Sequence, residues 1–213
     1  MVGSHTKERI FEEAVRLFSQ KGYPVVPLKE VAKAVNVSEA TIYRHYKNKA
    51  DLLNEIIKTL EFKLDTYLPT QKQVDKYIET ETPCQLLMRC TRQYKNDEIM
   101  MMSRLYRIAY MEQLTNPAAR SLIVGKLHDE TAKIIKYALD KLIEKELIRN
   151  LDTQFVSVLW ARLAFANTVI WIGQYTEEVS ADVFVGIHNA LFDRMIEMVT
   201  AEKAPAQAKF FTP

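Results

Sequence analysis

Residues 31–53 read VAKAVNVSEATIYRHYKNKADLL. Val31, Ala32 and Val35 fall on one face of a short helix, and Asn36-Val37-Ser38 interrupts it. Asn tolerates the left-handed backbone that a tight turn needs, and Ser38 is a suitable N-cap for a second short helix. Val37 and Ile42 complete a compact apolar set, with Ala32 small where two helices must approach. A helix, a tight turn and a helix of this size make a helix-turn-helix unit, which leaves the outer face of its second helix free.

That outer face carries Glu39, Ala40, Thr41, Tyr43, Arg44 and His45, and no acid lies between Glu39 and Asp51. Two readings compete. Either the aromatic residues are core and the basic ones a solvated face, or Tyr43 and Tyr46, set among Arg44, His45, Lys47 and Lys49, belong to a surface for phosphates. The polar turn, the short second helix and the single sign of charge together favour the second. Thr41 can offer a hydroxyl or a methyl to a base edge, and Ala40 keeps the helix start thin enough to approach a groove floor. Tyr43 and His45 can donate to phosphate oxygens, and Lys49 adds a charge beside a helix amino terminus. The candidate DNA-binding set is therefore Ser38, Glu39, Ala40, Thr41, Tyr43, Arg44, His45 and Lys49. Glu39 has the wrong charge for phosphate and fits only a cytosine amino group.

Working outward, helical periodicity runs through nearly the whole chain, punctuated by only 5 glycines and 7 prolines, and the fold class expected is all-α. The first helix is expected over about 6–20, stopped by Gly22, and the second over about 28–35. A fourth helix starts near Asn48, with Asp51 in its first turn, and Pro69 ends it. Longer helices follow over about 83–95, 97–113, 117–146, 153–175 and 180–201, with Asp97, Asn116-Pro117, Asp152 and Ser180 as start signals. The expected organisation is a helix-turn-helix domain over 1–48, a connecting helix over 49–68, a further helical domain over 69–203 and a loose tail over 204–213.

Composition bounds the function. With 213 residues, 48% hydrophobic and 26% charged, the chain can bury a sizeable core, and its net charge of +2 makes any nucleic-acid surface a local one. Cys84 and Cys90, with no apolar leader, point to a reducing cytoplasm. On one helix they lie roughly 9 Å apart along the axis, too far for a disulfide, and Cys-x5-Cys is not a zinc spacing. Residues 155–173 are long and apolar enough to ask about a membrane, but Arg162 and Asn167 inside them favour a buried or interface helix. His128 and His188 read as structural histidines, and no metal or other cofactor is expected. No catalytic constellation or phosphate-binding glycine loop is present, so an enzyme is not expected.

At Val31-Ala32, Asn36-Val37-Ser38, Thr41-Ile42-Tyr43-Arg44-His45-Tyr46 and Lys47-Asn48-Lys49 before Leu52-Leu53, the chain resembles the TetR family of bacterial transcription regulators. The match covers roughly residues 6–60. The resemblance implies a homodimer whose two recognition helices enter successive major grooves of a palindromic operator on double-stranded DNA, usually to repress. It also implies DNA contacts, mostly to phosphate, at Ser38, Thr41, Tyr43, His45 and Lys49, with a close approach at Ala40. Asn36 stands where the family has a turn glycine, and Pro27 where it often has a phosphate-binding Ser or Thr.

The resemblance further implies a ligand-binding and dimerisation part downstream, for which no motif is visible. Met101, Met102, Leu105, Tyr106 and Tyr110 are pliable or amphipathic groups suited to an apolar, small-molecule effector, and Met88, Tyr137, Phe165 and Trp171 join them as candidate pocket residues. The last two helices are apolar on more than one face. Leu159, Leu163, Val183, Ile187, Ala190, Arg194 and Met198 are the candidate dimer interface, in a four-helix arrangement across a two-fold axis. Two rivals stand beside this reading: an α-helical adaptor that binds only protein, and a helical enzyme with an apolar pocket.

Overall fold

The computed structural model describes residues 2–91, 96–174 and 181–201. Every element among them is helical: α1 (Val2–Lys21), α2 (Leu28–Ala34), α3 (Glu39–His45), α4 (Lys49–Tyr67), α5 (Gln71–Tyr77), α6 (Pro83–Cys90), α7 (Asn96–Glu112), α8 (Pro117–Arg120), a π-helix (Ser121–Asp129), α9 (Glu130–Glu144), α10 (Thr153–Gln174) and α11 (Ala181–Thr200). Packing divides the chain into two compact units. Met1–Asp65 with Asp97–Lys126 form the first, and Thr66–Asn96 with Leu127–Pro213 the second. Residues 97–126 thus go with the amino-terminal helices, which the expected boundaries at 48 and 68 did not foresee.

In the first unit, α1, α2 and α3 pack on one another. Ile10, Ala14, Phe18, Val31, Ala32, Val35 and Ile42 are buried there, each of the larger aliphatic or aromatic side chains stabilising the fold by roughly 1.5–3 kcal/mol. The ends of these helices follow from named residues. Gly22, at φ +91°, turns the chain out of α1 while its amide donates to Phe18 O at 2.9 Å. Asn36, at φ 57°, ends α2: its amide donates to Lys33 O at 3.2 Å and that of Val37 to Ala32 O at 2.9 Å, a Schellman pair. The Asn48 side chain caps α4, accepting from the Asp51 amide at 2.8 Å.

In the second unit, α9 packs against α5, α6 and α10, and α11 against α6 and α10. Trp160 and Phe192, ring centroids 5.6 Å apart, are fully buried among Leu86, Ile135, Leu139 and Ile196. Asn167 on α10 donates to His188 Nδ1 on α11 at 3.1 Å, and burial lowers the His188 imidazole to about 4. By length and composition Thr153–Gly173 could cross a membrane, yet within the unit it buries Trp160, Ala161, Thr168 and Trp171 and leaves Arg162 exposed. Cys84 and Cys90 are free thiols on α6.

Two local departures have physical causes. The α5 helix was not expected, because only Val74 and Ile78 of its surroundings are buried, too few to make a periodicity. A capping box fixes it instead: Thr70 Oγ1 accepts from the Gln73 amide at 3.3 Å and Gln73 Oε1 from the Thr70 amide at 2.8 Å. The single helix expected over 117–146 is three segments, α8, the π-helix and α9. Its end is a second Schellman pair, Glu146 N to Ile143 O and Leu147 N to Leu142 O, both at 2.9 Å, with Glu146 at φ 58°. Helix α6 ends at Cys90, and the rest of the helix expected over 83–95 is Thr91 and residues 92–95, the latter outside the described residues. The start signal at Ser180 is outside them too. That at Asp97 falls in the first turn of α7, and of its side chain nothing is described.

Candidate nucleic-acid interface

The recognition face is set by the short helix α3. Ser38 Oγ accepts from the Thr41 amide at 3.2 Å and shares a hydrogen bond with Thr41 Oγ1 at 2.9 Å, so the cap also fixes the Thr41 rotamer. Ile42 is buried and pins the inner face, which turns Ala40, Tyr43 and Arg44 outward; all three are exposed. Arg44 approaches Thr41 Oγ1 at 3.4 Å, and the Tyr43 hydroxyl approaches Glu39 at 3.4 Å, one helical turn away. Glu39, Thr41 and His45 are half-buried, and Ser38 is exposed.

The two tyrosines part company. Tyr43 is 51% exposed, whereas Tyr46 is 1% exposed. The Tyr46 hydroxyl donates to Glu55 on α4 at 3.4 Å, the Lys7 ammonium lies over its ring at 5.3 Å, and burial with Glu55 drives its phenol far above the usual range. Tyr46 therefore belongs to the core and not to the phosphate surface.

The Lys49 ammonium donates to the carbonyls of Tyr23 and Pro24 and lies over the Tyr23 ring at 4.4 Å. Burial lowers its pKa, and Glu112 on α7, a carboxylate only 7% exposed, opposes that shift. Burial raises Glu112 in turn, and Lys49 pulls it back. The Lys49 charge thus ties the loop after α1 to the start of α4.

Outside the candidate set, Lys29 and Lys33 on α2 and Lys47 after α3 are exposed and basic; of these the charge run in the sequence signalled Lys47 alone. Arg9 on α1 donates to Val35 O at 2.8 Å and holds the helix end beside the turn. No local spacing announces that contact, because it joins residues 26 apart.

The candidate pocket residues are split between the units. In the first, Met102, Leu105 and Tyr106 are buried on α7, with Met101 and Tyr110 half-buried. In the second, Trp171 is buried and Phe165 half-buried on α10. Met88 and Tyr137 pack against the unit's hydrophobic cluster. The Tyr137 hydroxyl donates to Asp75 at the surface, at 2.6 Å. Through that bond Tyr137 braces α9 against α5.

Among the candidate dimer residues, Leu159, Ile187, Ala190, Arg194 and Met198 are exposed on α10 and α11, and Leu163 is half-buried. The Val183 side chain lies outside those described.

Residues 10–56 match the family model described as bacterial regulatory proteins, tetR family. The chain is 47% identical over 51 residues to the HTH-type transcriptional regulator AcrR of Shigella flexneri, covering 24% of each chain. It is 36% identical over 52 residues to the biofilm operon icaADBC HTH-type negative transcriptional regulator IcaR of Staphylococcus epidermidis, covering 24% of this chain and 28% of that one. The matched stretch thus spans about a quarter of these relatives' length. The ketosteroid transcriptional regulator KstR2 of Mycobacterium tuberculosis has a similar fold, with a TM-score of 0.66, 15% identity, and 92% of this chain and 96% of that one covered.

Proposed function

We propose, from the match of residues 10–56 to the tetR family of bacterial regulatory proteins, that the chain is a ligand-responsive DNA-binding transcriptional regulator of the cytoplasm. It represses from a palindromic operator and leaves it when a small hydrophobic effector binds. The observation that carries this reading is the α3 face: a helix capped at Ser38 and pinned by Ile42 that holds Ala40, Tyr43 and Arg44 outward. Thin helix start, phosphate donor and guanidinium are the groups a major groove accepts.

A homodimer supplies the second recognition helix. The exposed apolar residues Leu159, Ile187 and Met198 on α10 and α11 support that assembly. Repression is supported by the likeness to IcaR, a negative regulator, and an apolar effector by the methionine and tyrosine content of α7. The DNA set proposed is Ser38, Ala40, Thr41, Tyr43, Arg44 and His45, with Glu39 beside a cytosine amino group. The effector moves α4, which changes the separation of the two recognition helices and lowers operator affinity.

Selection of genomic fragments by the purified protein, at about 150 mM salt to suppress non-specific binding, tests this reading. A palindromic site recovered by the wild type and lost by a Tyr43→Ala, Arg44→Ala variant is expected. Recovery of no site by either protein, or of the same fragments without sequence preference by both, contradicts it and favours a protein-binding adaptor.

A further inference from the structure

The π-helix carries a contact that the α3 face does not explain. Lys126 Nζ lies 2.7 Å from one oxygen of Asp65 and 3.3 Å from Glu61, carboxylates one helical turn apart on α4. The Lys126 side chain is only 16% exposed, while those of Glu61 and Asp65 are half-exposed. Burial alone would lower the Lys126 pKa, and the hydrogen bonds to Asp65 and Glu61 outweigh it. On another face of α4, Lys63 bonds Glu98 of α7 at 3.1 Å.

These contacts grip the carboxy-terminal half of the helix whose first turns hold the recognition module. At that opposite end Lys7 pairs with Glu55 at 2.8 Å and the amide of Lys47 donates to Asp51 at 3.2 Å. A stiff helix gripped at one end and bonded to a small module at the other is a lever. The segment that carries Lys126 is wound as a π-helix over Ser121–Asp129, and such i→i+5 turns are rare and frequent at functional sites.

We infer that Lys126 is a positioning residue for DNA recognition, a fork from the π-helix onto Glu61 and Asp65 that holds α4 in register and so sets the pose of α3. The inference rests on the DNA-binding reading above for its consequence, but the grip itself does not. Releasing the fork lets α4 sample more poses, of which only a fraction fits an operator, and apparent affinity falls by that fraction. An ion pair of this exposure is worth up to about a fivefold change in an equilibrium.

The test measures an intrachain distance. Nitroxide labels at Lys33→Cys on α2 and Leu114→Cys after α7, both exposed, are placed in a full-length Cys84→Ser, Cys90→Ala parent diluted with unlabelled protein. The parent is expected to give one narrow distance distribution, Lys126→Met a broad one, and the charge exchange Lys126→Glu with Glu61→Lys and Asp65→Lys a narrow one again. On a recovered operator, Lys126→Met is expected to bind about three- to fivefold more weakly, and the exchange to restore affinity. A purely structural loss would not be rescued by exchanging the charges. An unchanged distribution in Lys126→Met, tighter operator binding by it, or a folded exchange variant that stays broad overturns the inference. A restored grip with no operator recovered by any variant leaves the fork intact and overturns the DNA-binding reading instead.

Discussion

Ser38 does two jobs in one position: its hydroxyl caps α3 and orients Thr41. Replacing it with Ala is expected to lower stability by ~1 kcal/mol, read by urea unfolding, and to weaken operator binding beyond what that loss explains. An unchanged unfolding midpoint would show that the cap is not used. His188 offers a different residue-scale test. Its folded pKa of about 4 lies below the ordinary value of 6.5, so the unfolded chain binds the proton more readily. The neutral imidazole's stabilisation is therefore complete above pH 6.5 and is lost progressively as pH falls toward 4, with an upper bound on the order of 3 kcal/mol. His188→Gln is expected to flatten that slope in urea titrations at pH 7 and pH 5. An equal slope in the variant would place the titration elsewhere.

Among the elements, the sequence made α3 readable because its determinants are local. A turn residue, a cap and one pinned apolar position all fall between Asn36 and Ile42, and the structure uses each of them as that spacing implies. The surroundings of Tyr46 and Lys49 were not legible for the opposite reason: Glu55, Tyr23 and Glu112 decide their placement, and those partners lie on other helices or in a loop. The α5 helix was missed although its Thr70-x-x-Gln73 box was in plain sight, because apolar periodicity was given more weight than caps. The π-helix has no local signal in SLIVGKLHD beyond Gly125, and only the pairing of Lys126 with α4 gives it meaning. Gly22 makes an element-scale prediction. At φ +91° an added Cβ is strained whatever space surrounds it, so Gly22→Ala is expected to cost about 1 kcal/mol or more. Thermal melting checks this, and an unchanged midpoint would mean that the turn after α1 adapts.

For the molecule as a whole, the all-helical fold was legible from periodicity, but the grouping of α7 with the amino-terminal helices was not. That grouping depends on contacts between residues far apart in sequence, such as Lys63 with Glu98. The exposed stripe of α10 and α11 predicts assembly. Ile187→Asp with Met198→Asp is expected to convert a dimer to a monomer in sedimentation while leaving the helical content unchanged. A dimer that persists would move the interface elsewhere.

If α3 reads DNA sequence, the ratio of specific to non-specific affinity reports it. Fluorescence anisotropy with a recovered operator and a scrambled duplex, at one fixed salt concentration, is expected to give the wild type a preference of at least about 10³. Tyr43→Ala with Arg44→Ala is expected to lose most of that preference while retaining its fold. A wild-type protein that binds both duplexes equally, or a variant that discriminates as well as the wild type, would contradict the account.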